Sequence, residues 1–210
     1  MTEQPDILGA PYTVETIDLP DDAEGPVHAT LVRRRADAPT NRAVLHVHGF
    51  ADYFFQTGYA DWWIERGYDF YAIDLRKYGR SLADHQTPNY VSDLRDYYPE
   101  IDEAWARVSG RDRHDHVVLT AHSTGGLTLP LWAADRRPKL AGMVLNSPWF
   151  DLHGSPPVEC AEAMTWSWPS RSTIRHIARS ISAKYSCRSE TYVGVWCGRM
   201  DRPYLRRSSA

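Results

Sequence analysis

Four short apolar runs decide what this chain can become: Ala43-Val44-Leu45-His46-Val47, Phe70-Tyr71-Ala72-Ile73, Val117-Val118-Leu119-Thr120 and Leu140-Ala141-Gly142-Met143-Val144-Leu145-Asn146. Each is too short for a helix and too uniformly apolar for a strand with one wet face, so each reads as a strand covered on both sides. Helical periodicity fills the gaps. Residues 58–66 carry Tyr59, Trp62 and Trp63 at helical spacing with Gly67 as a stop, and residues 124–134 form another helix. The strongest stripe is Val91, Leu94, Tyr98, Ile101, Trp105 and Val108, at intervals of 3, 4, 3, 4 and 3, interrupted by Pro99, which predicts a kink or two abutting helices. Strands alternating with helices imply an α/β fold, a mostly parallel sheet with helices on both faces. Residues 12–19 and 27–34, joined by the turn-forming stretch from Pro20 to Pro26, add an antiparallel edge.

Charge divides the chain unevenly. A formal net charge of −3 over 210 residues excludes a strongly basic nucleic-acid binder as the default. Residues 161–210 alone hold nine Lys and Arg against three Asp and Glu, a balance of +6, which leaves −9 for residues 1–160. All three cysteines (Cys160, Cys187, Cys197) lie in the last fifty-one positions, an odd number that describes no disulfide scaffold. The expected organisation is a core over residues 1–155 and a partial cap or irregular basic tail over 156–210. Within the second part, Ile174, Ile177 and Ile181 with Ala178 suggest one short amphipathic helix, and no buried-type strand is legible after Tyr185. The scattered basic residues and the aromatics Trp166, Trp168, Tyr192, Trp196 and Tyr204 are compatible with a nucleic-acid or anionic-membrane contact, but the charge is not striped, and local packing explains the aromatics as well. No apolar run approaches the ~18 residues of a spanning helix, and the opening Met1-Thr2-Glu3-Gln4-Pro5-Asp6 lacks the order of a secretory signal, so a soluble cytoplasmic protein is expected.

Chemistry concentrates in Thr120-Ala121-His122-Ser123-Thr124-Gly125-Gly126, between an apolar strand and a helix. A serine on a tight strand-to-helix turn is pushed above the sheet edge, and small residues two before and two after it let the turn pack against neighbouring strands. Ala121 and Gly125 supply them. The helix that follows aims its amides and positive dipole end at the same spot, which suits an oxyanion. Taken alone, the pattern also describes a serine that merely caps a helix. A second element lies upstream, His46-Val47-His48-Gly49-Phe50-Ala51-Asp52-Tyr53, where a His-Gly pair after a buried strand lets the next backbone amide turn toward the nucleophile. The amides of Phe50 and Thr124 are then the oxyanion donors, each worth on the order of 3 kcal/mol in the transition state. His48 precedes the nucleophile and reads as structural.

Together with Ala72-Ile73-Asp74-Leu75-Arg76-Lys77-Tyr78-Gly79-Arg80-Ser81 and Leu145-Asn146-Ser147-Pro148, these motifs make the chain resemble the α/β-hydrolase superfamily, specifically the monoacylglycerol lipase, lysophospholipase and serine aminopeptidase S33 group, from about residue 10 to residue 155. The resemblance implies a serine hydrolase of carboxylic esters with a small acyl ester or lipid-like substrate, Ser123 as nucleophile, and Phe50 and Thr124 as the oxyanion hole. It implies no cofactor; no metal, nucleic-acid partner or stable membrane insertion is expected.

A serine hydroxyl needs a base, and the base needs an orienting acid. In this superfamily both follow the nucleophile, the acid at the end of the next strand and the histidine one strand later. Asp151 follows the strand 140–146, where a minority of these hydrolases place the acid, but reads better as a turn residue at the head of the cap; His153, His176 and Asp201 come after no apolar strand. The last strands therefore look absent, which would leave residues 140–146 as an open hydrophobic edge. The Cys, Trp, Arg and Ser enrichment near the C-terminus (Cys187, Trp196, Cys197, Arg199, Arg202, Arg206, Arg207) is what a truncated or frame-shifted reading near residues 160–190 yields. The alternative to an active esterase is thus a catalytically incomplete hydrolase. Phe54, Phe55, Trp149 and Phe150 favour an apolar acyl chain at the pocket mouth, though core packing accounts for them equally.

Overall fold

In the computed structural model, residues 3–149 and the strand Gly194–Cys197 are described. Eight strands form one sheet: β1 (Gln4–Pro5), β2 (Thr13–Asp18), β3 (His28–Arg34), β4 (Arg42–Val47), β5 (Asp69–Asp74), β6 (His116–His122), β7 (Gly142–Asn146) and β8 (Gly194–Cys197), in the spatial order β1-β2-β3-β5-β4-β6-β7-β8. β5, β4, β6 and β7 run parallel, while β1, β2 and β3 form an antiparallel flank on one side, as the two-strand turn predicts. From β4 the chain steps outward to β5 on one side and then returns past β4 to β6 on the other. The sheet order reverses between β4 and β6, and that crevice at the carboxyl ends of the strands is where open α/β sheets hold their ligands.

Alternating residues of the parallel strands feed two cores. Leu45, Val47, Tyr71, Ile73, Leu119 and Ala121 face one layer, under α2 (Tyr98–Trp105) and α3 (Gly125–Arg136). Val44, Phe70, Ala72 and Val118 face the other, with Phe54 and α1 (Thr57–Ile64). Both faces are covered, which is why these strands carry so few polar residues. The long apolar stripe survives as a relay of helices: a 3-10 turn at Leu94–Tyr97, then α2 with Pro99 in its first turn, then a π-helical segment at Ala106–Arg111. Pro99 is tolerated because its missing N–H falls where an N-terminal turn has no partner for it. Five of the six stripe residues are buried, and Trp105 packs partly exposed against the same core.

Two expectations change. Trp62, which shares its helical spacing with buried Trp63, is 47% exposed, and the Arg66 guanidinium stacks 3.7 Å from its ring centre. The edge changes as well: β8 pairs antiparallel with β7, Gly142 against Cys197 through Leu145 against Gly194, so residues 142–145 are not an open edge. Four residues are too few for a periodicity to announce a strand, whereas a free ladder of N–H and C=O groups recruits any β-compatible segment. The expected amphipathic helix at Ile174–Ile181, the boundary at residue 155 and the suspected reading-frame change at 160–190 lie outside the described residues.

Candidate active site

Ser123 follows β6 directly and has φ 47°. The left-handed region costs a β-carbon-bearing residue on the order of 1 kcal/mol, so something must hold it there. Three backbone bonds do: Ser123 N–H donates to the Asn146 carbonyl at 3.0 Å, and the Ser123 carbonyl accepts from Gly126 N–H at 2.9 Å and Trp149 N–H at 3.1 Å. The strand thus hands over to α3 in two residues, Ser123 and Thr124, and the serine stands half-buried at the carboxyl rim. Gly125 is required by contact rather than by torsion. A β-carbon there would lie 2.3 Å from the His48 carbonyl oxygen and 2.7 Å from that of Val47, so the end of β4 passes directly beneath the first turn of α3.

The loop after β4 reaches the serine by the same close packing. A β-carbon on Gly49 would meet Ser123 Cβ at 3.2 Å and His122 Cδ2 at 3.1 Å. Asp52 folds this loop back, accepting from Gly49 N–H at 3.2 Å and Tyr53 N–H at 2.8 Å. His48 is buried between strand ends. Its Nε2 accepts from Leu75 N–H at 3.1 Å, which makes Nδ1 the protonated nitrogen, donating to the Gly49 carbonyl at 2.7 Å. Burial pushes its pKa down, and the ring stays neutral. Since C=O and N–H of a trans peptide point opposite ways, fixing the Gly49 carbonyl on His48 turns the Phe50 N–H away from that ring. His48 is therefore a strut of the loop, the role expected for it. Phe50 and Thr124, from the two touching loops, line one cleft together with His48, Gly49, Gly125 and Trp149.

A third loop, after β5, supplies the rest of the wall and was legible only as a motif. Buried Asp74 accepts from Phe54 N–H at 2.9 Å, Arg80 N–H at 3.1 Å and Arg80 Nη1 at 2.8 Å, while Arg80 also forks onto Asp6 at 2.6 and 2.8 Å. Arg76 binds buried Glu100 through Nε and Nη2, and Lys77 is clasped by Asp22 and Glu24. These pairs tie the loop to the antiparallel flank and to α2, so the cleft wall is braced from three directions. The sequence missed the longer braces because partners such as Arg76–Glu100 and Arg80–Asp6, 24 and 74 positions apart, leave no local pattern.

Phe54 is core rather than mouth, fully buried against Phe70, whereas Phe55 is exposed beside Tyr53. Among the described residues no side chain hydrogen-bonds the Ser123 hydroxyl. His46 is bonded to Thr120 Oγ1 at 2.9 Å on the opposite face of the sheet, and His114 to Asp69 at 3.0 Å at the amino end of the strands. Asp151, His153, His176, Asp201 and Phe150 lie outside the described residues. No group of three or more His, Cys, Asp or Glu among the described residues is placed to hold a metal ion, and no helix among them is long and apolar enough to cross a membrane.

Comparison with known proteins adds the following. Residues 38–193 match the family model described as Serine aminopeptidase, S33. No curated protein matches. Among solved structures, a thermostable carboxyl esterase from Bacillus coagulans is similar with TM-score 0.54 and 16% identity over 63% of this chain and 43% of its own. A probable hydrolytic enzyme from Pseudomonas aeruginosa is similar with TM-score 0.53 and 17% identity over 82% and 54%. A monoacylglycerol lipase from Paleococcus ferrophilus gives TM-score 0.51 and 25% identity over 63% and 49%. The chain spans about half the length of the solved structures it matches.

Proposed function

Because this chain belongs to the serine aminopeptidase S33 family of α/β-hydrolases, we propose that it carries the nucleophile side of a serine esterase acting on small acyl esters or lipid-like monoesters. Ser123 Oγ attacks the ester carbonyl, the amides of Phe50 and Thr124 stabilise the oxyanion, the alcohol leaves, and water releases the acyl group from Ser123. The observation that carries this reading is the positive φ of Ser123 at the strand-to-helix turn, with Gly49 packed against its β-carbon. A helix-capping serine has no need of that backbone, nor of a second loop pressed against it. The cleft at the reversal of strand order is the place where such a nucleophile can meet a ligand.

A second reading rests on the hydroxyl having no hydrogen-bonded base among the described residues: a hydrolase-derived chain that binds but does not turn over. Fluorophosphonate labelling and p-nitrophenyl butyrate hydrolysis, each compared with Ser123→Ala, separate the two. The esterase reading expects labelling and turnover that vanish in Ser123→Ala. A folded protein with neither would establish the second reading.

A further inference from the structure

β6 and β7 are parallel neighbours that end level, with His122 paired to Asn146, and each is followed at once by a left-handed serine. Ser123 and Ser147 both have φ 47°. Ser147 turns the chain after β7 back across the start of α3, and both main-chain polar groups of Ser123 are taken by that returning segment. The Ser123 N–H donates to the Asn146 carbonyl at 3.0 Å, and the Ser123 carbonyl accepts from Trp149 N–H at 3.1 Å. Pro148 packs on the second residue of α3, where a β-carbon on Gly126 would stand 2.8 Å from Pro148 Cβ and 2.9 Å from its Cα. Gly126 thus leaves the space that Pro148 fills. The consequence falls on Thr124. The carbonyl of Ser123 and the N–H of Thr124 belong to one trans peptide and point opposite ways. Trp149 N–H, with Gly126 N–H at 2.9 Å, fixes that carbonyl and so aims the Thr124 amide away from the loop after β7. His48 does the same for the Phe50 amide by holding the Gly49 carbonyl at 2.7 Å. The Gly126 bond is one that the first turn of a helix makes unaided, whereas the Trp149 bond comes from another loop.

We propose that Asn146-Ser147-Pro148-Trp149 is a positioning latch for the nucleophile turn: main-chain groups of Asn146 and Trp149 hold Ser123 in its left-handed conformation and orient the Thr124 amide, with Pro148 seated on Gly126 to keep them in place. The proposal rests on Ser123 as the reacting group, but the latch is a property of the backbone and can be measured without turnover. It also divides residue 149 in two. Trp149 lines the cleft, a matter for its side chain, while its N–H acts through Ser123.

The test measures the full chain in two ways. Fluorophosphonate labelling against probe concentration yields a maximal rate and a half-saturating concentration, and amide hydrogen exchange is followed at Ser123. Trp149→Pro deletes the N–H and should lower the maximal labelling rate by at least about tenfold and speed Ser123 exchange by at least about tenfold. Trp149→Ala keeps the N–H and removes the indole, so its effect should fall on the half-saturating concentration, with the maximal rate moving by no more than about twofold. A merely destabilised protein would label a smaller fraction of molecules at the same rate. Gly126→Ala, the variant to use if Trp149→Pro does not fold, keeps every donor and suits a helix. Its methyl displaces Pro148 and should move both readouts in the same direction as Trp149→Pro. Unchanged Ser123 exchange in the folded variant of the two, or a maximal rate that Trp149→Ala lowers as far as Trp149→Pro does, would overturn the latch. Faster exchange in a chain whose wild type takes no probe supports the latch and counts against the esterase reading.

Discussion

The turn around Ser123 and the amino rim of the parallel strands are built from opposite chemistry. Around Ser123, residues 51, 123 and 147 hold positive φ without being glycine, and the order comes from backbone bonds and from glycines pressed against carbonyls. At the amino rim, order comes from ionised side chains. Asp112 accepts from Tyr71 at 2.7 Å and Arg111 at 2.8 and 3.0 Å, Arg111 also forks onto Glu15 at 2.8 Å, and His114 bridges Asp69 and the Val108 carbonyl at 3.0 and 2.8 Å. Burial opposes the Asp112 charge, yet its Arg111 and Tyr71 hydrogen bonds hold its pKa down to about 2. Ionised side chains clamp the amino rim and also brace the loop after β5, and the turn that carries Ser123 is held by main chain, with no side-chain bond to its hydroxyl among the described residues.

The sharpest break of that contrast is Ser123→Ala. It should remove fluorophosphonate labelling and reduce any esterase rate by at least ~10³-fold, with thermal stability unchanged within about 0.5 kcal/mol. Gly125→Ala comes next. Its methyl meets two carbonyl oxygens at 2.3 and 2.7 Å, and denaturant unfolding should show a loss of about 3 kcal/mol. An amino-rim counterpart, Asp112→Asn, should cost about 2 kcal/mol by the same assay while leaving Ser123 labelling within about twofold. If the labelling rate falls with it, the two rims are not independent.

Acid should act on the fold through two buried histidines, His48 and, with the larger effect, His46. Burial on the Phe54–Phe70 side, with His48 and His122 adding to it, holds His46 down to about 3. The unfolded chain binds that proton from about pH 6.5, so the stabilisation from neutral His46 is complete above that value and declines as pH falls. The expected slope is about 1.4 kcal/mol per pH unit between about pH 6.5 and 3. His114 has the opposite sign. Burial works against its charge, but Asp69 and the Val108 carbonyl raise its pKa above the usual value. Its contribution is present below the unfolded pKa and is lost as pH rises through the folded one. Chemical unfolding from pH 4 to 8 with His46→Gln should make the acid-side decline shallower, the part due to His48 remaining, and leave the alkaline side alone.

How much of this could be read from the letters depends on sequence distance. The four apolar runs, the antiparallel flank and the elbow are local patterns of four to eight residues, and each falls where the pattern puts it. The stripe from Val91 to Val108 was legible as helix but not as three helical geometries in succession, because its interval of 3 and 4 residues does not distinguish them. The Asp74–Arg80–Asp6 and Arg76–Glu100 braces join residues that nothing adjacent relates. Leu94 and Leu127 look like any core leucine, and only the tertiary fold shows that they line the cleft. β8 escaped for a different reason: its four residues carry no period, and their place is set by the vacancy beside β7.

The three hydrogen bonds that hold residue 123 all belong to main chain. The serine hydroxyl contributes nothing to its own placement among the described residues, so the turn is a socket into which another small side-chain atom can be fitted. A thiol in place of the hydroxyl would stand at the same height above the sheet, and any difference in its reactivity would then report on chemistry alone.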